Sequence, residues 1–107
     1  MKLKMFYLED EEATSGTMVV AESAEEAERQ YNEQIAGLVN PTFEEQNNDE
    51  VIRVYEVNDP LDDEGPSTAR RGISRVSDRK YIEATVREWL QWYESQECTF
   101  AIVYERV

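Results

Sequence analysis

One cysteine, Cys98, and no histidine in 107 residues leave this chain without a covalent or metal staple. A disulfide needs a second cysteine, and zinc sites are built mainly from cysteine and histidine. The fold must therefore rest on a hydrophobic core, and 40% of the residues are hydrophobic against 33% charged. That balance excludes a disordered tail, and no apolar run approaches the ~18 residues of a membrane span. One domain covering residues 1–107 is expected.

Missing histidine also bounds the chemistry. It removes the commonest general base, the Ser-His and Cys-His nucleophile pairs, and the commonest metal ligand. A binding protein rather than an enzyme is expected, with no catalytic residue, no metal and no cofactor. Lys2 and Lys4 are followed by only four apolar residues, Met5 to Leu8, too few for a signal-peptide core. The expected location is a reducing cytoplasm, that of a bacterial host.

The core must be assembled from short segments. Lys2 to Leu8 alternates, with Leu3, Met5 and Tyr7 on one face and Lys2, Lys4 and Phe6 on the other, which predicts a strand. Thr17 to Ala21 is β-branched and apolar and should return antiparallel to it. Ser23-Ala-Glu-Glu26 is a capping box. From it Ala24, Ala27, Tyr31, Ile35 and Leu38 recur at helical spacing, until Gly37 and Asn40-Pro41 stop the helix. Residues 41 to 50 read as a loop or short helical turn. Val51 to Val57 reads as a third strand, apolar apart from Arg53 and Glu56.

Residues 58 to 77 show no periodicity and are expected to be one long irregular loop. A second helix is predicted from Ser77-Asp78 to about Ser95, with Ile82, Val86, Trp89, Leu90 and Tyr93 inward and Tyr81, Thr85 and Trp92 beside them. Cys98 to Val107 makes a last strand, suited to a central position. The order ββαβαβ implies an α+β domain: a mainly antiparallel four-stranded sheet with two helices packed on one face.

Charge is the most uneven property of the chain. The formal net charge is -13, from 24 acids and 11 bases. Acids gather in Glu9-Asp10-Glu11-Glu12, Glu44-Glu45, Asp49-Glu50 and Asp62-Asp63-Glu64. Bases gather in Arg70, Arg71, Arg75, Arg79 and Lys80. Binding of DNA through a globally basic surface is excluded, because such a chain repels phosphates at long range.

Two readings of the acids are open. One is a solvated surface that keeps a small protein soluble. The other is a surface shaped like DNA, whose carboxylates fill a Lys/Arg groove meant for nucleic acid. For the basic stretch, balancing the acidic loops is favoured over a second contact with nucleic acid or with acidic patches on a partner.

Claims of dedicated chemistry fail on spacing. Asp59 to Gly65 puts leucine and glutamate where a calcium loop needs an oxygen ligand and glycine. The four glycines are scattered, so no phosphate-cradling loop is present. Cys98 lies in acidic sequence and is expected to be a small packing residue. Trp92, at the edge of the helical stripe, is the aromatic most open to an interface role.

Met18-Val-Val-Ala-Glu-Ser-Ala-Glu-Glu-Ala-Glu28 runs from an apolar strand through a capping serine into an Ala-Glu helix. This resembles the strand-to-helix entry of several small phage proteins, including some anti-CRISPR proteins. The small size, acidity and absent catalytic motif are likewise similar to phage inhibitors that mimic DNA. The resemblance implies a non-enzymatic inhibitor of a host defence complex, a CRISPR effector or nuclease, whose nucleic-acid path it blocks. The expected partner-binding residues are Glu9, Asp10, Glu11, Glu12, Glu44, Glu45, Asp49, Glu50, Asp62, Asp63 and Glu64. The alternatives are an immunity protein against a nuclease toxin and a small structural or assembly protein whose charge serves solubility. A homodimer through an exposed edge strand is compatible with all three.

Overall fold

The computed structural model describes residues 2–11, 17–35, 37–55 and 65–103. In chain order the elements are β1 (Lys4–Glu9), β2 (Thr17–Ala21), α1 (Ala24–Gln34), β3 (Thr42–Glu45), β4 (Val51–Tyr55), β5 (Arg70–Ile73), β6 (Lys80–Thr85), α2 (Val86–Ser95) and β7 (Phe100–Val103). The class is α+β with antiparallel pairing, as the sequence predicts. The strands, however, form two sheets rather than one: β3-β1-β2-β7 and β4-β6-β5.

Alternation in β1 sets the layers. Met5 faces Val20 and Tyr7 faces Met18 across the β1–β2 ladder, while Phe6 faces Val19. Leu3, Met5, Met18, Val20 and Val103 pack against Ile52, Ile82, Ala84 and the α2 residues Val86, Trp89 and Leu90. On the other side, Phe6, Leu8, Val19 and Ala21 pack against Ala24, Ala27 and Tyr31 of α1. The two helices therefore lie on opposite faces of the four-stranded sheet, not on one face. That sheet is buried on both sides, which is why Val19, Val20 and Ala21 are consecutive and all inaccessible.

Several expectations are corrected. Thr42–Glu45, predicted as loop or helical turn, is the edge strand β3, held by pairing with β1 and by Phe43 set edge-on against Phe6 at 6.4 Å. The predicted irregular loop contains β5, and β5 and β6 form a hairpin closed by Ser74 N–H donating to the Arg79 carbonyl at 2.8 Å. Ser77-Asp78 is not a helix start; Asp78 has φ 56° and belongs to the hairpin tip. Arg79 and Lys80 consequently sit at the start of a strand and not in a helical first turn. The last strand β7 is at the edge of its sheet, not central. Ile35, expected on the buried stripe of α1, is 48% exposed because the helix ends at Gln34.

Helix α2 begins at a capping box that lies within the stretch read as continuous helix. Glu88 N–H donates to Thr85 Oγ1 at 3.2 Å, and Thr85 N–H donates to Glu88 Oε1 at 3.0 Å. In α1 only half the expected box forms: Glu26 N–H donates to Ser23 Oγ at 3.1 Å, while the Glu26 carboxylate turns to Arg29 and Gln30. Helix α2 ends in a Schellman motif, with Glu97 N–H on the Glu94 carbonyl and Cys98 N–H on the Tyr93 carbonyl.

Candidate functional site

The predicted contact acids separate into groups with different fates. Glu12, Asp62, Asp63 and Glu64 lie outside the described residues, as do Glu56 and Asp59. The other seven follow the β3 edge of the four-stranded sheet. Glu9 pairs with Thr42 at one end of β3, Glu44 and Glu45 lie near its other end, and Asp49 and Glu50 stand in the turn beyond.

Many of these carboxylates are already engaged. Asp10 Oδ1 accepts from Val39 N–H at 3.0 Å, and Glu11 Oε2 accepts from the Asn40 amide at 2.8 Å. Glu45 meets Lys4 at 3.5 Å, and Asp49 accepts from Arg87 at 2.8 Å. The 47–50 turn also serves α2 directly, because the carbonyls of Glu50 and Asn48 accept from Val86 N–H and Arg87 N–H. These otherwise orphaned helix donors explain why acidic residues are favourable there. Glu9, Glu44 and Glu50 remain exposed, and among the described residues their side chains have no ion pair or hydrogen bond. Glu44 and Glu45 point to opposite faces of the sheet, so they cannot line one groove together.

A second group of acids was not singled out from the sequence as a contact surface. Glu22 precedes the α1 cap, and Glu25 and Glu28 follow on the helix at a spacing of three. All three are exposed and make no ion pair among the described residues. Helical spacing places Glu25 and Glu28 about 5–6 Å apart. Glu26 and Glu33 are instead clasped by Arg29, whose hydrogen bond holds the Glu26 carboxyl below its ordinary value. The signal lies in the helical spacing, since Glu25 and Glu28 fall between the apolar stripe residues Ala24, Ala27 and Tyr31.

The bases are segregated on the three-stranded sheet. Its described residues, 51–55 and 65–85, hold six bases and two acids, whereas the described residues from 2 to 50 hold twelve acids and three bases. Among the described residues, Arg70, Arg71, Arg75, Arg79 and Lys80 form no salt bridge. They therefore do not pair directly with the acids at 9–11, 44–45 or 49–50, while the Asp62-Asp63-Glu64 loop lies outside the described residues. At the tip, Val76 is 98% exposed and Ile73, on β5, is 62% exposed.

On the outer face of this sheet, Tyr55 and Tyr81 lie opposite one another with ring centroids 5.8 Å apart. Arg53 stacks over Tyr81 at 4.4 Å and is also bound to the Glu83 carboxylate. Its hydrogen bond to the Tyr55 hydroxyl at 3.4 Å and its contact with Glu83 raise its already high pKa. No described element packs on this face.

An open cleft of about 320 Å³ lies between the start of β1, the end of β3 and α2, lined by Lys2, Lys4, Gln46, Arg87, Gln91 and Glu94 among others. Two of its three cations are already paired, and Glu94 accepts from Leu3 N–H at 3.0 Å. Cys98 is half-buried, its thiol donating to the Phe100 carbonyl at 3.1 Å. Trp92 is half-buried between Trp89 and Tyr93. The described residues contain no cluster of metal-ligating side chains and no helix long and apolar enough to cross a membrane. No protein family, curated protein or solved structure matches the chain at a significant level.

Proposed function

We propose that this protein is a non-enzymatic inhibitor that presents carboxylates to the Lys/Arg-lined nucleic-acid site of another protein. The observation that carries this reading is the set of exposed carboxylates with no partner among the described residues: Glu22 before the α1 cap, Glu25 and Glu28 on α1, and Glu9, Glu44 and Glu50 along the β3 edge and the turn beyond it. Arg29, Lys4 and Arg87 neutralise neighbouring acids but leave these six unmatched. Such a surface attracts a basic groove at long range and competes with phosphates for it. The resemblance to phage inhibitors makes a CRISPR effector the first class of target to try, with a nuclease toxin the second.

The test is capture of host proteins on the immobilised chain, elution with salt, and a DNA-binding assay on the eluted partner. The partner should release at high salt and lose its DNA when the protein is added. Reversing Glu22, Glu25 and Glu28 to lysine should weaken capture and flatten its salt dependence. Unchanged affinity after reversal of both this set and Glu9, Glu44 and Glu50 would sink the reading.

A further inference from the structure

We propose that the outer face of the β4-β6-β5 sheet, with the β5–β6 hairpin beyond it, is a binding surface for single-stranded nucleic acid. Three independent features converge there. The hairpin carries Arg75 and Arg79 at or beside its tip, and Arg70 lies on the adjoining edge strand, all three with no salt bridge among the described residues. Tyr55 presents a half-buried aromatic ring on the same face, beside Tyr81, whose ring lies over Gly72 and under Arg53. Arg53, stacked on Tyr81, adds a guanidinium plane next to them.

This combination matches the physical needs of an unpaired strand. Phosphates need cations that have no carboxylate already in place, and unstacked bases need aromatic or guanidinium planes. A duplex hides its base faces and gains nothing from the tyrosines. An acidic polypeptide would pair with the arginines but leave the rings unused. Single-stranded nucleic acid uses both, which is why it is the assigned occupant.

Net charge does not forbid this. At physiological ionic strength charges are screened beyond about 8 Å. The acidic 47–50 turn contacts the α2 end of β6, whereas the hairpin tip is at the other end. Six strand residues separate them, about 20 Å at the rise of a β-strand. A phosphate at the tip therefore meets Arg75 and Arg79, with Asp78 the one acid between them, and little of the acidic turn. The overall charge slows the approach of long nucleic acids but leaves short-range capture intact.

The proposal does not depend on the acidic-surface reading, and its test needs no partner protein. Binding of a fluorescein-labelled oligodeoxythymidylate and an oligouridylate to the full chain would be followed by anisotropy across a salt series. Inorganic polyphosphate and duplex DNA would serve as competitors. Both oligonucleotides should bind at low salt, with weak competition from either competitor. Arg75→Gln should reduce the slope of log K against log salt by about 0.7, the value for one single-strand phosphate contact. Tyr55→Leu should weaken binding at least about five-fold with no change of slope, and Tyr55→Phe should retain affinity. Neither site is in the core, so melting midpoints should stay at the wild-type value. The E22K/E25K/E28K variant should bind the oligonucleotides at least as well as wild type, which separates this surface from the acidic one. Absence of saturable binding at low salt, competition by polyphosphate as strong as by oligonucleotide, or wild-type affinity in Tyr55→Leu would each overturn the proposal.

Discussion

The hydroxyl end of Tyr81 lies over Gly72, so close that a Cβ at position 72 would stand 2.5 Å from the Tyr81 oxygen. The absence of a side chain in β5 thus lets a ring from β6 lie down across its neighbour. Gly72→Ala should lift that ring and loosen its stack with Arg53, a contact of roughly 0.5–1 kcal/mol at an exposed site. Removing glycine from the unfolded chain offsets this by about 0.4–1 kcal/mol. Urea midpoints should therefore move little, while the ring resonances of Tyr81 shift in NMR spectra. Unmoved resonances would contradict the placement.

Thr85 and Glu88 close the capping box that starts α2. Thr85→Ala should cost about 1 kcal/mol in urea denaturation. The Thr68 hydroxyl, then the Thr85 N–H and hydroxyl, hold the Glu88 carboxyl below its ordinary 4.5. A carboxyl depressed in the folded state stabilises fully above its unfolded value and loses that contribution as pH falls through the folded one. The stability of the wild type should decline below about pH 4.5, and Glu88→Gln should flatten that decline. An acid limb of identical slope in the variant would refute the assignment.

Glu97 occupies the left-handed position of the Schellman motif, with φ 57°. A side chain there costs about 1–2 kcal/mol relative to glycine, and a carboxylate at a helix C-terminus adds a small penalty. Glu97→Gly should raise stability by about 1 kcal/mol, a gain that Glu97→Ala should not reproduce.

Trp89 ties α2 to β4, its indole N–H donating to the Ile52 carbonyl at 3.3 Å within the core. Trp89→Phe should lose about 1–3 kcal/mol through the unmatched carbonyl and the vacated volume. Gly65 approaches the same ring: its φ is 134°, and a Cβ there would be 3.3 Å from Trp89 and 3.1 Å from Ile82. Gly65→Ala should therefore be destabilising as well, by about 1–3 kcal/mol. Thermal or urea unfolding of the two variants checks both values.

Reversal of Glu22, Glu25 and Glu28 to lysine should cost no more than about 1–2 kcal/mol, chiefly because Glu25 in the first turn of α1 and Glu22 before its cap face the positive end of the helix dipole. A larger loss would show that these carboxylates support α1 rather than stand free.

Local chemistry was legible where a segment's own pattern sufficed. The alternation of Leu3, Met5 and Tyr7, the β-branched run at Thr17–Ala21 and the Ser23 cap located β1, β2 and the start of α1. The second helix was misplaced because two periods overlap. Ile82 is the inward residue of a strand, yet it is four residues from Val86 and seven from Trp89, so strand and helix share one apparent stripe. Thr85-x-x-Glu88 was the available signal, obscured by the Ser77-Asp78 pair before it. β3 was hidden for another reason. An edge strand with Phe43 as its one inward apolar anchor is too polar to announce itself, and exists through its ladder with β1.

The sequence by itself determined the α+β class, the absence of an internal disulfide, and the segregation of acids from the Arg70–Lys80 bases, because these follow from residue types and short-range order. Only the tertiary structure decided that there are two sheets, that the helices cover opposite faces, which carboxylates are already held by Lys4, Arg29 and Arg87, and that Tyr55, Tyr81 and Arg53 share one face of the β4-β6-β5 sheet on which no described element packs. The physical reason is the same throughout. Strand partners, faces and ion pairs are relations between residues far apart in sequence, and no local pattern encodes which distant segment completes them.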